Sequence, residues 1–289
     1  MNLTSLFSDP PPAYAFEISE AGIASAEIAK APETSFRPLS ARTISVSPLR
    51  DNILMPDELA AAVRAIVPVN AKSKRRDAAL ILPDNCARVF VLDFDNFPPD
   101  KEEQLSLVRF RMKKSVPFDV ESAAVGYWAQ GVGGGKQDVV AAVAPVEIIA
   151  RYEAPFRAAG MNPGFVTTSS MAMLPLIEGR EIIVVAKMTD AFLTLMVLKE
   201  GVLKLVRCLE LGDVAADLYP TFAYVEDQLG AKAERLVLCG FGPLTEEYQR
   251  QFQKDLQIPV EALRTHVGAP GEGNAGLLGY LKSLTSNSI

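Results

Sequence analysis

The chain of 289 residues holds a single histidine, His266. Imidazole is a staple ligand of zinc and copper and the usual base of Ser-His-Asp and Cys-His relays, so one histidine argues against both chemistries. Cysteine is scarce too. Cys86, Cys208 and Cys239 are odd in number, widely spaced and form no C-x-x-C pair, the pattern of buried free thiols in a reducing compartment. No apolar run approaches the roughly 20 residues that span a bilayer. The longest weakly polar run, 139–150, is interrupted by Pro145 and Glu147. The opening MNLTSLFSDPPPAY lacks the basic start and apolar centre of a signal peptide. These absences predict a cytoplasmic protein that is not itself integral to a membrane. Basic stripes are missing as well. The net charge is −6, and the one short basic cluster, Lys72, Lys74, Arg75 and Arg76, reads as a solvated loop, which leaves nucleic-acid binding without support.

What is present is apolar residues, 49% of the chain, enough for a sizeable core and about two domains. Residues 1–12 are polar and proline-rich and read as a loose tail. Segments 14–20 and 22–29 alternate as a β-hairpin, with a third strand expected at 43–46 and a helix opening at Pro56-Asp57-Glu58. Residues 77–128 are the most legible stretch. Strand 78–82 stops at the turn signal Pro83-Asp84-Asn85, and strand 88–94 stops near Pro98-Pro99. Helix 100–114 carries Leu105, Val108 and Met112 on one stripe, with acidic residues in its first turn and basic residues in its last, as the helix dipole favours. Val116-Pro117-Phe118 ends it, because a residue before proline avoids the helical region.

Gly133-Gly134-Gly135 is no phosphate cradle: Lys136 follows, but Gln137 stands where a P-loop needs a hydroxyl. Strand 138–144, helix 146–159, strand 164–168 and a helical 169–176 complete the first half. After Gly179-Arg180 come strands 181–186, 191–198 and 202–209, then a helix over 213–230 in which Pro220 is expected to introduce a kink or a split. Strand 235–239, an amphipathic 244–256, a short strand 258–262 and helix 274–284 close the chain. Each half therefore begins strand, hairpin, strand, helix.

The order of these features, more than any one of them, resembles the PilM family of type IV pilus assembly proteins, actin-like relatives of the division protein FtsA. "ALILP", the proline break, the acidic-to-basic helix and "VPF" resemble that family's small inserted subdomain. Residues 139–173, 198–213 and 236–252 follow collinearly, so the resemblance spans about 14–281. It implies an α/β, actin-like (ribonuclease H-like) fold: a first lobe over 13–178 with an inserted α+β subdomain at about 77–130, and a second lobe over 179–289.

In such folds two hairpin turns, usually D-x-G, cradle the phosphates, glycine allowing close backbone approach. Here the first turn reads Phe16-Glu17-Ile18-Ser19, so Glu17 keeps a longer carboxylate and Ser19 replaces glycine. The second reads Ala186-Lys187-Met188-Thr189-Asp190, with Ala186 and Met188 at the acidic and glycine positions and Lys187 at a solvent-facing strand end. The adenosine loop reads Gly240-Phe241-Gly242-Pro243, with bulk added at Phe241. The cleft positions left for any ligand are Glu17, Ser19, Thr189, Asp190, Gly240 and Gly242.

The resemblance thus implies a pseudo-ATPase without cofactor or metal. Its role would be that of a scaffold on the cytoplasmic face of the inner membrane, binding the N-terminal tail of a PilN-like bitopic protein and other platform components. The tail would lie extended in a groove by the inserted subdomain, against the first lobe. Val89, Val91, Phe94, Phe97, Phe110, Arg109 and Arg111 are the residues to inspect there, although the apolar ones also suit a core. Two alternatives stay open: a protein whose magnesium–ATP state switches the complex, and a cytoplasmic component of the GspL kind from type II secretion.

Overall fold

The computed structural model describes residues 11–29, 32–68, 76–131, 136–266, 268, 270–271 and 273–286. Three sequence readings lie wholly or mostly outside the described residues: the tail at 1–12, described only at 11–12; the basic cluster, described only at Arg76, whose guanidinium donates to the Ala159 carbonyl at 3.0 Å; and the triple glycine 133–135.

Two five-stranded sheets repeat one topology. In the first, β1 (Tyr14–Ile18) and β2 (Gly22–Glu27) form the hairpin, β3 (Thr34–Pro38) pairs antiparallel with β2, and β4 (Asp77–Leu82) pairs parallel with β1. With β5 (Arg88–Phe94), β6 (Ala124–Gln130) and β7 (Gln137–Ala144) set aside, β8 (Asn162–Thr168) completes the order β3-β2-β1-β4-β8. The second sheet uses β9 (Ile183–Met188), β10 (Phe192–Lys199), β11 (Val202–Glu210), β12 (Arg235–Cys239) and β13 (Val260–Ala262) in the corresponding order, β11-β10-β9-β12-β13. Strands β5, β7 and β6, in that order, make a separate small antiparallel sheet.

Alternation assigns the faces. Tyr14, Phe16 and Ile18 point with Leu80 and Leu82 towards α1 (Pro56–Ile66) and α3 (Val146–Ala158). Ala15, Ala24 and Ala79 point the other way, onto α7 (Ala275–Ser286). Alanines on that face let α7 and the short α4 (Ser169–Met173) come close. A Cβ added at Gly279 would lie 2.3 Å from the Ala172 carbonyl oxygen. In the second sheet Val184, Ala186, Leu195 and Leu238 face α5 (Val214–Leu229) and α6 (Thr245–Leu256), while Ile183, Val185, Met196 and Val237 face the first lobe.

Several expectations need correction. The third strand is β3, not 43–46. Its five residues are all exposed, so an edge strand with proline left no apolar alternation to read, whereas Ile44 and Val46 are buried outside the sheet, Ile44 making one bridge to Ile53. The small sheet draws its strands from 88–144 and not 77–130: β4 is an inner strand of the first sheet, and β7 belongs to the insert. Helix α7, assigned by sequence to the second lobe, packs on the first sheet. Pro220 does not split α5, which runs unbroken from its cap at Asp213 to a left-handed Gly230. The insert's helix α2 (Lys101–Met112) is as expected, with Asp100 accepting from the N–H groups of Glu102 and Glu103.

Candidate functional site: an interlobe cleft and a groove beside the insert

The β1–β2 and β9–β10 turns face each other between the lobes. Both are closed by a hydroxyl. Gly22 N–H donates to Ser19 Oγ at 3.2 Å, and Phe192 N–H donates to Thr189 Oγ1 at 3.1 Å. In each turn the main chain also closes, Ser19 to Gly22 and Thr189 to Phe192. This match sets the register between the hairpins: Glu17-Ile18-Ser19-Glu20 answers Lys187-Met188-Thr189-Asp190. The sequence reading, which put Ala186 and Met188 at the equivalent positions, was one residue out.

That register puts a carboxylate and an ammonium group at matching places, both on inner sheet faces. Glu17 is 1% exposed; its carboxylate accepts from Ser169 Oγ and, at 2.7 Å, from the Leu277 N–H. Lys187 is 2% exposed, not the solvent-facing strand end expected. Its Nζ donates to Asp84 Oδ2 at 2.8 Å. Asp84 sits in the single 3-10 turn after β4 and also accepts from Thr194 Oγ1 at 3.1 Å and from the Ser170 N–H at 2.6 Å. Burial opposes both charges of the pair, but their mutual attraction outweighs it: Asp84 is held below the usual carboxylate range and Lys187 above the usual amine range. For Glu17 burial wins and raises the carboxyl, with Lys187 and the hydrogen bonds pulling the other way. Burial also lifts Glu20, helped by the charge of Asp190 and resisted by the Val46 N–H.

The cavity that remains has a volume of about 30 Å³ and brings together Glu17, Ser19, Thr189 and Asp190 with Asp84 and Lys187. That is room for one or two water molecules. Gly240 and Gly242 are not in it. They line an adjoining cavity of about 680 Å³ that shares Thr189 and Asp190. Both glycines have positive φ, 78° and 51°. Phe241 between them turns into the second-lobe core, edge-on to Tyr248 at 5.2 Å. The thiols offer no nucleophile here: burial pushes Cys208 and Cys239 up to about 12.

A second cavity lies beside the insert, against the first lobe, where the resemblance implies a groove, but sequence reasoning did not find the residues that line it. A groove of about 510 Å³ runs between the insert and the first lobe. One wall is β6, the other β8. Each strand is terminal in its sheet, so each has one edge without a ladder among the described residues. Ala124, Gly126 and Ala142 make a floor of small residues, and a Cβ built on Gly126 meets nothing within 4 Å. Trp128 and Phe165, each 42% exposed, stand on the two walls. Among the described residues no lysine, arginine, aspartate or glutamate lines it.

None of the seven residues singled out for inspection lines the groove. Sheet order explains this: the groove edge is β6, and β5 is the far strand. Val89 and Val91 pack towards the second lobe, and Phe94 and Phe97 belong to the insert's core. Phe110 is 73% exposed on α2. Arg109 pairs with Glu121 at 4.0 Å, and Arg111 pairs with Asp93 at 3.3 Å. The insert is also tied to the second lobe, where Gln130 exchanges two 2.8 Å bonds with the Leu203 backbone and Lys204 pairs with Asp138 at 2.5 Å.

No protein-family model matches the chain, and no curated protein matches it. Solved structures do. A chain of a PilM–PilN type IV pilus biogenesis complex superposes with a TM-score of 0.72 at 17% identity, covering 94% of this chain and 98% of that one. A Bacteroides thetaiotaomicron protein with an actin-like ATPase fold and unknown function gives 0.55 at 13% identity, over 92% and 94%. The cytoplasmic domain of EpsL, an inner membrane component of the Vibrio cholerae type II secretion system, gives 0.52 at 14% identity, over 94% of each chain. The fold is therefore actin-like, as the duplicated sheet order already indicated. No helix among the described residues is long and apolar enough to cross a membrane.

Proposed function

We propose that the chain is a scaffold component of a type IV pilus or related assembly platform at the inner membrane. In this reading it holds the cytoplasmic tail of a PilN-like membrane protein in the groove between β6 and β8. One observation carries this: an uncharged groove lined by two unladdered strand edges. An extended segment can add there as a strand, with main-chain hydrogen bonds supplying affinity and pockets for alternate side chains supplying selectivity. The likeness to a chain of the PilM–PilN complex over 94% of the sequence supports the choice of partner. The likeness to the EpsL domain supports a wider setting in which the same scaffold serves secretion.

We further propose that the interlobe cleft neither holds nor hydrolyses ATP. Lys187 occupies the second hairpin's acidic position and supplies, within the chain, the positive charge that a metal would otherwise bring. Ser19 and Thr189 engage the turn N–H groups that a phosphate would need. A cavity of about 30 Å³, room for one or two water molecules, supports this reading. The competing reading, a nucleotide-switched scaffold, draws on the cavity of about 680 Å³ beside Gly240 and Gly242.

Calorimetric titration separates the readings. The purified chain is titrated with magnesium–ATP and with a synthetic N-terminal peptide of the PilN-like protein encoded with it. Peptide heat without nucleotide heat is expected. Micromolar ATP binding would replace the closed-cleft reading by the switch, and absence of peptide binding would remove the partner assignment. Gly126→Val then tests the location: with open space above Gly126, the variant folds normally and blocks the peptide.

A further inference from the structure

The interlobe ion pair and the groove are built on the same two stretches of backbone. At the end of β4, Leu82 lines the groove, then Asp84 reaches Lys187, and Cys86 and Ala87 return to the groove. At the end of β8 the pattern recurs: Thr168 lines the groove, Ser169 and Ser170 bond Glu17 and Asp84, and Met171 lines the groove again. Asp84 ties the two stretches together, one oxygen taking the Ser170 N–H and the other taking Lys187 and Thr194 from the second lobe.

We infer that Lys187 is a positioning residue for the partner groove: from the second lobe it sets the inner wall of a site that it does not line. The inference rests on the groove being the partner site proposed above. The physical reason is the cost of a bare buried carboxylate. Without Lys187, Asp84 must take up a proton or swing towards water. A swing gives up the Ser170 N–H and moves the turn that carries Cys86 and Ala87. Protonation weakens the tie to Ser170 and frees α4 to shift with Met171. Close-packed interiors pass such shifts on to their neighbours instead of absorbing them. The second lobe thus governs binding at a groove formed by the first lobe and the insert, through one ammonium group.

The test uses the full chain and the same synthetic tail peptide, at a temperature where circular dichroism shows every variant folded. Lys187→Met is compared with Thr194→Val, which keeps the ammonium group and removes one bond to Asp84 together with the Thr194 contact to the Cys208 thiol. Val225→Ala is the control, a wholly buried second-lobe core position away from the pair. Lys187→Met should weaken peptide binding by about fivefold or more, the lower end of ordinary site-to-site coupling. Thr194→Val should give a smaller loss, and Val225→Ala none. Hydrogen exchange in 82–87 and 168–171 should accelerate in Lys187→Met and not in Val225→Ala, a pattern that general loss of stability would not produce. If Lys187→Met does not fold, Thr194→Val against Val225→Ala carries the comparison. Wild-type binding with equal affinity in Lys187→Met and Val225→Ala overturns the positioning role alone. Absence of wild-type binding overturns the groove assignment, and the positioning role falls with it.

Discussion

Lys187→Met tests the energetics of the cleft. Methionine keeps most of the stem's volume and removes the charge. It leaves Asp84, 8% exposed, with hydrogen bonds from Ser170 and Thr194 but no counter-ion, and Glu17 loses the cation that offsets its burial. Breaking a buried pair from one side costs about 3–5 kcal/mol, because the remaining charge stays desolvated. At ~2–4 °C per kcal/mol for a chain of a few hundred residues, Tm should fall on the order of 10 °C. Adding Asp84→Asn should restore most of the loss. Asparagine offers an oxygen to the Ser170 N–H and an N–H to Thr194 Oγ1, and the unpaired charge is gone. Chemical denaturation at neutral pH, followed by circular dichroism, reads both variants. A single variant within about 1 kcal/mol of wild type, or a double variant no better than the single, would refute the assignment of a desolvated, mutually dependent pair.

Three further outcomes follow from the same structure. Glu17 has a folded pKa above its unfolded value, burial being the main cause, so the native state retains a proton over a range where the unfolded chain has lost it. Its contribution to stability is full below the unfolded pKa and declines as pH rises towards the folded value. Glu17→Gln should therefore gain Tm relative to wild type as pH rises from acid to neutral, and a difference flat with pH would contradict this. Gly279→Ala puts a Cβ 2.5 Å from Met173 Cα, and overpacking of this kind should cost about 1–3 kcal/mol in denaturant unfolding. Asp100→Ala removes the cap of α2 and should cost about 1 kcal/mol, seen as faster hydrogen exchange in the insert's helix.

Much of the architecture was legible because periodicity and punctuation agree. The hairpin at Tyr14, the breaks at Pro83 and Pro98, and the dipole-matched α2 all fall where the sequence puts them. What was not legible depends on partners distant in sequence. Asp84 looked like a turn residue, and it is one; that its carboxylate meets Lys187 is a contact across 103 positions. A signal for Lys187 was available. A lysine two positions after Val185, in a strand flanked by paired strands on both sides, cannot reach water by alternation alone. Ending the strand at Ala186 hid it. The residues that line the groove were missed because its edges follow from the spatial order β5-β7-β6, which a hairpin-by-hairpin reading does not provide.

The return of α7 to the first sheet sets a timetable. The N–H that Glu17 needs from Leu277 is made 260 residues after it, on the order of tens of seconds at ordinary rates of synthesis. Until then the alanine face of the first sheet has only Ala172 of α4 against it, while the strands and helices of the second lobe are already complete. Helix α7 then touches both sides, with Leu277 and Leu281 against the first sheet and Leu278 in the cluster that joins the lobes. The lobe synthesised first is thus the last to be finished, and a nascent chain halted before this helix would present an open apolar surface together with a buried acid lacking one of its donors.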